Sequence, residues 1–217
     1  TAFFSATMPK QIEKLAAECR MPLCYGGGVN SAEYASQLVD MGVEKVAVSS
    51  AVIKNPKLIN EMVSKVGRQS VVVVLDLNKK KNFSSNEYEL SSHNGKQIYK
   101  EDPFIFLKKC QEAGAGEIVI NSVSQEGLMK GYDLNLALKV KMISKIPITF
   151  LGGAGSLQDI EKLIEKFGII GAAAGSLFVF KGKYRAVLIN YPTLKEKKDI
   201  CSKALIVYKN NLMLSRT

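Results

Sequence analysis

Apolar positions in this chain follow two rhythms that alternate from one end to the other. Short, nearly uninterrupted apolar runs at residues 22–25, 45–50, 70–77, 117–122, 148–151 and 170–174 have the length of buried strands, and residues 71–74 are four consecutive valines. Between these runs lie segments with apolar residues three and four apart, at about 8–18, 31–41, from 55 onward, 103–113, 134–143 and 157–167. That is the spacing of amphipathic helices. Ser31 reads as a helix cap, Gly42 as a stop, and Pro56 suits a first turn. Residues 78–102 break the rhythm with two short alternating pieces, 87–90 and 97–99, around His93-Asn94-Gly95, the pattern of a β-hairpin inserted after a strand. Strand and helix alternate six times, which predicts an α/β fold on a parallel sheet.

Two glycine clusters organise this alternation: Tyr25-Gly26-Gly27-Gly28-Val29 and Leu151-Gly152-Gly153-Ala154-Gly155. Each closes a strand and opens a helical segment. A shift of 126 residues lays Gly26 on Gly152, Gly27 on Gly153, Gly42 on Gly168 and Ser50 on Ser176, an internal repeat. A βα unit takes roughly 30 residues, so the offset spans about four units, and a doubled four-unit block is a (βα)8 TIM barrel. Six units cannot close eight strands. The repeat requires counterparts of the strands at 71 and 117 upstream of Thr1, so the sequence predicts a barrel domain over 1–192 lacking its first two βα units, then a C-terminal helical tail over 193–217.

At 217 residues and 47% hydrophobic content the chain can bury one large core. No apolar run has the length of a membrane span and the start lacks a signal-peptide pattern, so a cytoplasmic protein without membrane contact is expected. Cys19, Cys24, Cys110 and Cys201 form no CxxC pair and read as reduced structural thiols rather than zinc ligands. The single histidine, His93, beside the turn pair Asn94-Gly95, reads as a surface-loop residue and supports neither a metal site nor a Ser-His-Asp triad. The net charge of +10 suits an anionic small molecule and equally a lysine-rich surface. Without an aromatic-interleaved basic patch, nucleic acid is not expected.

In a barrel of this kind chemistry belongs at the C-terminal ends of the strands. Asp76 ends the valine strand there, where partial burial favours acid–base use; capping of the next turn is the plainer alternative. Gly152 and Gly153 after one strand, with Gly175 and Ser176 after the next, reproduce the arrangement that holds a phosphate, and Gly27 and Gly28 with Ser49 and Ser50 form the equivalent half. Two phosphate sites related by a pseudo-twofold imply a substrate phosphorylated at both ends. Close helix packing is the alternative for any one glycine.

The segments 22–29, Lys45-Val46, Asn55-Pro56, 71–76, 114–118, Gly131-Tyr132-Asp133 and 152–155, in this order and spacing, resemble the cyclase subunit family of imidazole glycerol phosphate synthase, HisF. The resemblance runs from near residue 10 to about 190. It implies a TIM barrel that takes glutamine-derived ammonia from a HisH-like glutaminase partner in a heterodimer. The ammonia is used to convert a doubly phosphorylated ribulosyl formimino carboxamide ribonucleotide to imidazole glycerol phosphate and aminoimidazole carboxamide ribonucleotide. No metal or organic cofactor is implied. Asp76 matches one of the family's two acid–base aspartates, the other lying on the first strand. Lys45 and Glu117 match the charged gate through which ammonia enters, an ordinary salt-bridge layer being the alternative. Glu44 matches the glutaminase interface, or is a solvated surface charge.

Several positions depart from that pattern. Ser124-Gln125-Glu126-Gly127 stands where the family has two aspartates before the glycine, Leu151 where a serine is usual, Ser49-Ser50 where asparagine–threonine is usual, and Asn121 where a threonine is usual. Asn121 and Gly127 remain candidate substrate contacts by position. Residues 178–192 resemble HisF-like paralogues associated with sugar amidination in surface-polysaccharide synthesis. There the barrel serves as an ammonia conduit to a separate amidotransferase, without cyclase activity. The tail from 194 falls outside the resemblance; its lysines lie on one side of an apparent helix and Ala204, Leu205, Val207, Leu212 and Leu214 on another, a face suited to packing on the barrel.

Overall fold

A computed structural model of the chain describes residues 2–4, 18, 21–80, 87–182 and 184–214. Seven parallel strands form one curled sheet in sequential order: β1 (Ala2–Phe4), β2 (Leu23–Gly26), β3 (Lys45–Val48), β4 (Val71–Lys79), β7 (Glu117–Ser122), β8 (Ile148–Leu151) and β9 (Gly171–Ala172). Intervening helices are α1 (Ala32–Asp40), α2 (Ser50–Lys54), α3 (Lys57–Val66), α4 (Pro103–Glu112), α5 (Leu134–Ile143), α6 (Leu157–Phe167) and the short α7 (Ser176–Val179). This is the strand–helix alternation of a TIM barrel. One expectation is corrected: the sheet has seven parallel strands, not six. Ala2–Phe4 pairs in parallel with Leu23–Tyr25, and three residues are too few to display a period in sequence. The helix expected at 8–18 and Cys19 lie outside the described residues, apart from helical Glu18.

Local chemistry sets the boundaries. Ser31 caps α1 by accepting from the Tyr34 N–H, Asp102 accepts from Phe104 and Ile105 with Pro103 in the first turn of α4, and Ser156 and Asp159 form a reciprocal capping box on α6. The inserted pieces are β5 (Tyr88–Ser92) and β6 (Gln97–Ile98), an antiparallel hairpin; β5 pairs with the outer half of β4, with Asp76 opposite Ser91.

Alternation along the strands separates two cores. Outward residues such as Val71, Val73, Leu75, Ile118, Ile120 and Phe150 pack against the helices, while Cys24, Ala47, Val72 and Val119, with Val74 and Leu151, fill the inside of the curl. The tail is one helix, α8 (Leu194–Leu214), lying on α6, with Ala204 buried and the Tyr208 ring against Gly168. No helix among the described residues is long and apolar enough to cross a membrane.

Candidate functional site

Inward positions at successive heights build the site from the floor upward. At the strand starts, Lys45 Nζ donates to Glu117 Oε2 at 2.6 Å, and Thr149 Oγ1 donates to Glu117 Oε1 at 2.6 Å. Both carboxylate oxygens are thus engaged, so the ring of charge at the floor is compensated. Thr149 was not foreseen, because a lone hydroxyl in an apolar run carries no signal in sequence. Glu44, just before β3, is exposed. Above the floor come Cys24, Ala47, Val72 and Val119; burial, and secondarily the charge of Glu117, pushes the Cys24 thiol up to about 12, so it is an inert packing group.

The polar layer at the mouth consists of Asp76 and Asn121, neighbours in the β4–β7 register. Asn121 Nδ2 donates to Asp76 Oδ1 at 2.9 Å. Burial raises the Asp76 carboxyl above the ordinary carboxylate range, opposed by the Asn121 bond, by the Asn94 main-chain N–H and by the charge of His93. The hairpin turn holding His93 and Asn94 thus leans over Asp76. Both residues adopt positive φ, 53° and 60°, and the Ser91 hydroxyl donates to the Asp76 carbonyl at 3.1 Å. His93 is exposed, as a loop residue should be, yet it lines the cavity, which its sequence neighbourhood could not reveal.

A cavity of about 1100 Å³ runs from Glu117 and Thr149 up to this mouth. Its wall brings together Gly27, Gly28, Ser49, Ser50, Asp76, Asn121 and Gly175. A small adjoining recess is lined by Gly127, Gly152, Gly153 and Ser176, and shares Glu126, Ala174 and Gly175 with the main cavity. The glycine and serine positions named as phosphate or substrate candidates therefore line either this cavity or the recess adjoining it. Gly153 must be glycine there: φ is +101° and a Cβ would fall 2.1 Å from the Gly131 carbonyl oxygen. Gly131 N–H in turn donates to the Gly153 carbonyl at 2.8 Å.

Glu126 supplies a carboxyl between cavity and recess, pushed up by burial. The departure from the aspartate pair therefore does not empty this wall of acid. At the rim the Phe178 and Tyr191 rings meet at 4.9 Å, and Arg185 donates to the Gly127 carbonyl at 3.0 Å. These rim groups lie in a segment whose irregular spacing gave no hint of facing the cavity. Among the described residues no group of three or more His, Cys, Asp or Glu is placed to hold a metal ion.

Residues 4–185 match the family described as histidine biosynthesis protein. A Vibrio vulnificus protein named "Putative imidazole glycerol phosphate synthase subunit hisF3" is 52% identical over 187 residues, covering 86% of this chain and 71% of its own length. A Leptospira interrogans protein named "Putative imidazole glycerol phosphate synthase subunit HisF" is 51% identical, covering 87% and 74%. The imidazole glycerol phosphate synthase subunit HisF of Petrotoga mobilis is 35% identical, covering 81% and 68%. With its curled parallel sheet, its repeated glycine turns and this extent of matching sequence, the chain belongs to the histidine biosynthesis protein family, among the HisF subunits.

Proposed function

We propose that this chain is the cyclase-type subunit of an imidazole glycerol phosphate synthase. In this reading a HisH-like glutaminase docks at the floor, where Glu44 is exposed, and ammonia enters past Lys45 and Glu117. The doubly phosphorylated ribonucleotide spans the mouth, one phosphate near Gly27, Gly28, Ser49 and Ser50, the other near Gly152, Gly153, Gly175 and Ser176. Asp76, part-buried beside the centre of that span, moves protons between the attacking nitrogen and the departing group, and Asn121 and Gly127 contact the substrate. The observation that carries the reading is one mouth holding two repeat-related glycine–serine turns with a raised-pKa carboxyl beside them.

The test is turnover of the ribonucleotide by the intact protein, with ammonium salts and then with glutamine plus the glutaminase. Both should support product formation, and Asp76→Asn should lower kcat by about 100-fold or more, the ordinary worth of a general acid–base group. Absence of turnover under both conditions would sink it.

A second reading has a specific observation in its favour. Tyr184, Val187, Leu188 and Ile189 are exposed beside the Phe178–Tyr191 rim, an apolar surface at the mouth suited to a protein partner. In that reading the barrel passes ammonia to a sugar amidotransferase docked there. The intact protein would then stimulate that partner and turn over no ribonucleotide.

A further inference from the structure

Asn121 Oδ1 is buried and accepts no hydrogen bond among the described residues, although the other end of the same amide donates to Asp76. Leaving a buried acceptor unpaired is costly, and such an atom calls for an explanation. The amide lies against a carboxyl group. A neutral carboxylic acid and a primary amide are complementary: the amide N–H donates to the acid carbonyl while the acid O–H donates to the amide oxygen, closing a ring of two hydrogen bonds. The first of these bonds is present.

We propose that Asn121 is a positioning residue that holds the proton of Asp76, its Oδ1 accepting from the Asp76 Oδ2–H in a two-bonded acid–amide pair. No new bond to carbon is involved; the proton sits on Asp76 and is shared toward Asn121. Burial of the carboxyl acts in the same direction, since it disfavours charge. Among the described residues, the other charged groups facing this space are His93 from the hairpin turn, Glu126 from the loop after β7, and the Lys45–Glu117 pair at the floor. A threonine at position 121 would present one oxygen as both donor and acceptor, whereas the amide presents a separate donor and acceptor atom, so this acid–amide pairing requires the asparagine. Asp76 thereby enters a reaction as a proton donor, a consequence that rests on the cyclase reading; the pair itself does not.

Asp76→Asn provides a test because a carboxamide is a fixed copy of the neutral acid: its N–H2 can donate to Asn121 Oδ1 and its oxygen can accept from Asn121 Nδ2. In the intact protein at pH 7, urea unfolding should give an unfolding equilibrium constant lowered about fivefold to tenfold by Asp76→Asn, because the amide makes both bonds without taking up a proton. The sign with pH follows from linkage. A carboxyl raised in the folded state binds its proton more tightly than in the unfolded chain, so native stability falls as pH rises through that window. The gain from Asp76→Asn should therefore vanish below about pH 3.9, the unfolded value, where native Asp76 is itself protonated.

The pairing amide is removed by Asn121→Leu, and Asn121→Val serves equally if the leucine variant does not fold. Carboxyl ¹³C titration adds a readout insensitive to packing. If Asn121 only donates to the carboxylate, its removal raises the Asp76 midpoint; if it also holds the proton, the midpoint stays or falls. A midpoint that rises without Asn121 overturns the pair whatever the outcome of the turnover assay.

Discussion

Both carboxylate oxygens of Glu117 are engaged, by Lys45 and by Thr149, and the physics of that residue decides what the floor can tolerate. Its side chain is 13% exposed and that of Lys45 31%, so the pair is neither freely solvated nor fully buried. Removing Lys45 leaves the Glu117 carboxylate with Thr149 as its one remaining side-chain partner among the described residues. Lys45→Met should cost about 1–3 kcal/mol in urea unfolding, the range for a part-buried charge that loses its bond. Lys45→Met with Glu117→Gln should recover most of that loss, because the amide left beside Thr149 bears no charge. A double variant no more stable than Lys45→Met would mean that the pair stabilises through packing of the lysine stem instead. The two charged members were named through the family resemblance, with which their places at strand starts agree, whereas Thr149, and the bond from Asn121 to Asp76, emerge only when the register sets those side chains beside a carboxylate.

At the scale of elements, Asp133 joins two parts of the fold that sequence distance separates. Its Oδ1 caps α5 by accepting from Asn135 and Leu136, and its Oδ2 accepts from the Tyr88 hydroxyl on β5 at 3.0 Å. Tyr88 is buried, and burial together with Asp133 raises its phenol above the usual tyrosine range. Asp133→Ala removes the cap and strands that hydroxyl, so a loss of about 2–3 kcal/mol is expected by urea unfolding, with Asp133→Asn costing markedly less. Because β5 pairs with β4 beside Asp76, the alanine variant should also speed amide exchange in the hairpin before it affects β8. Elements with a full period or a cap signal were readable in advance: α5 and α6 fall where the spacing put them, and Ser31 caps α1. Others escaped for physical reasons. β1 is three residues long, α2 is five and starts on the last residue of what reads as a strand, and although His93 and Asn94 suit the positive φ of a turn, the lean of the hairpin over the mouth is a tertiary arrangement that local sequence does not encode.

Across the whole molecule the 126-residue offset survives folding. β3 begins at Lys45 and β9 at Gly171, α2 at Ser50 and α7 at Ser176, each pair separated by that offset, and both serine turns open on one mouth. A ligand with an anionic group at each end gains from both turns at once, because once one end is held the other is presented at high effective concentration. Damage to either turn should therefore remove the joint gain rather than half the contacts. Ser50→Asp and Ser176→Asp, each adding repulsion at one turn only, are both expected to weaken binding of ribulose 1,5-bisphosphate by at least tenfold in calorimetry. Ribose 5-phosphate, with the intact turn still open to it, should lose about twofold at most. With a net charge of +10 the bisphosphate affinity should also fall more steeply with added salt than the monophosphate affinity. A variant pair in which only one substitution affects the bisphosphate would mean that the duplication persists in the backbone while a single half retains the anion.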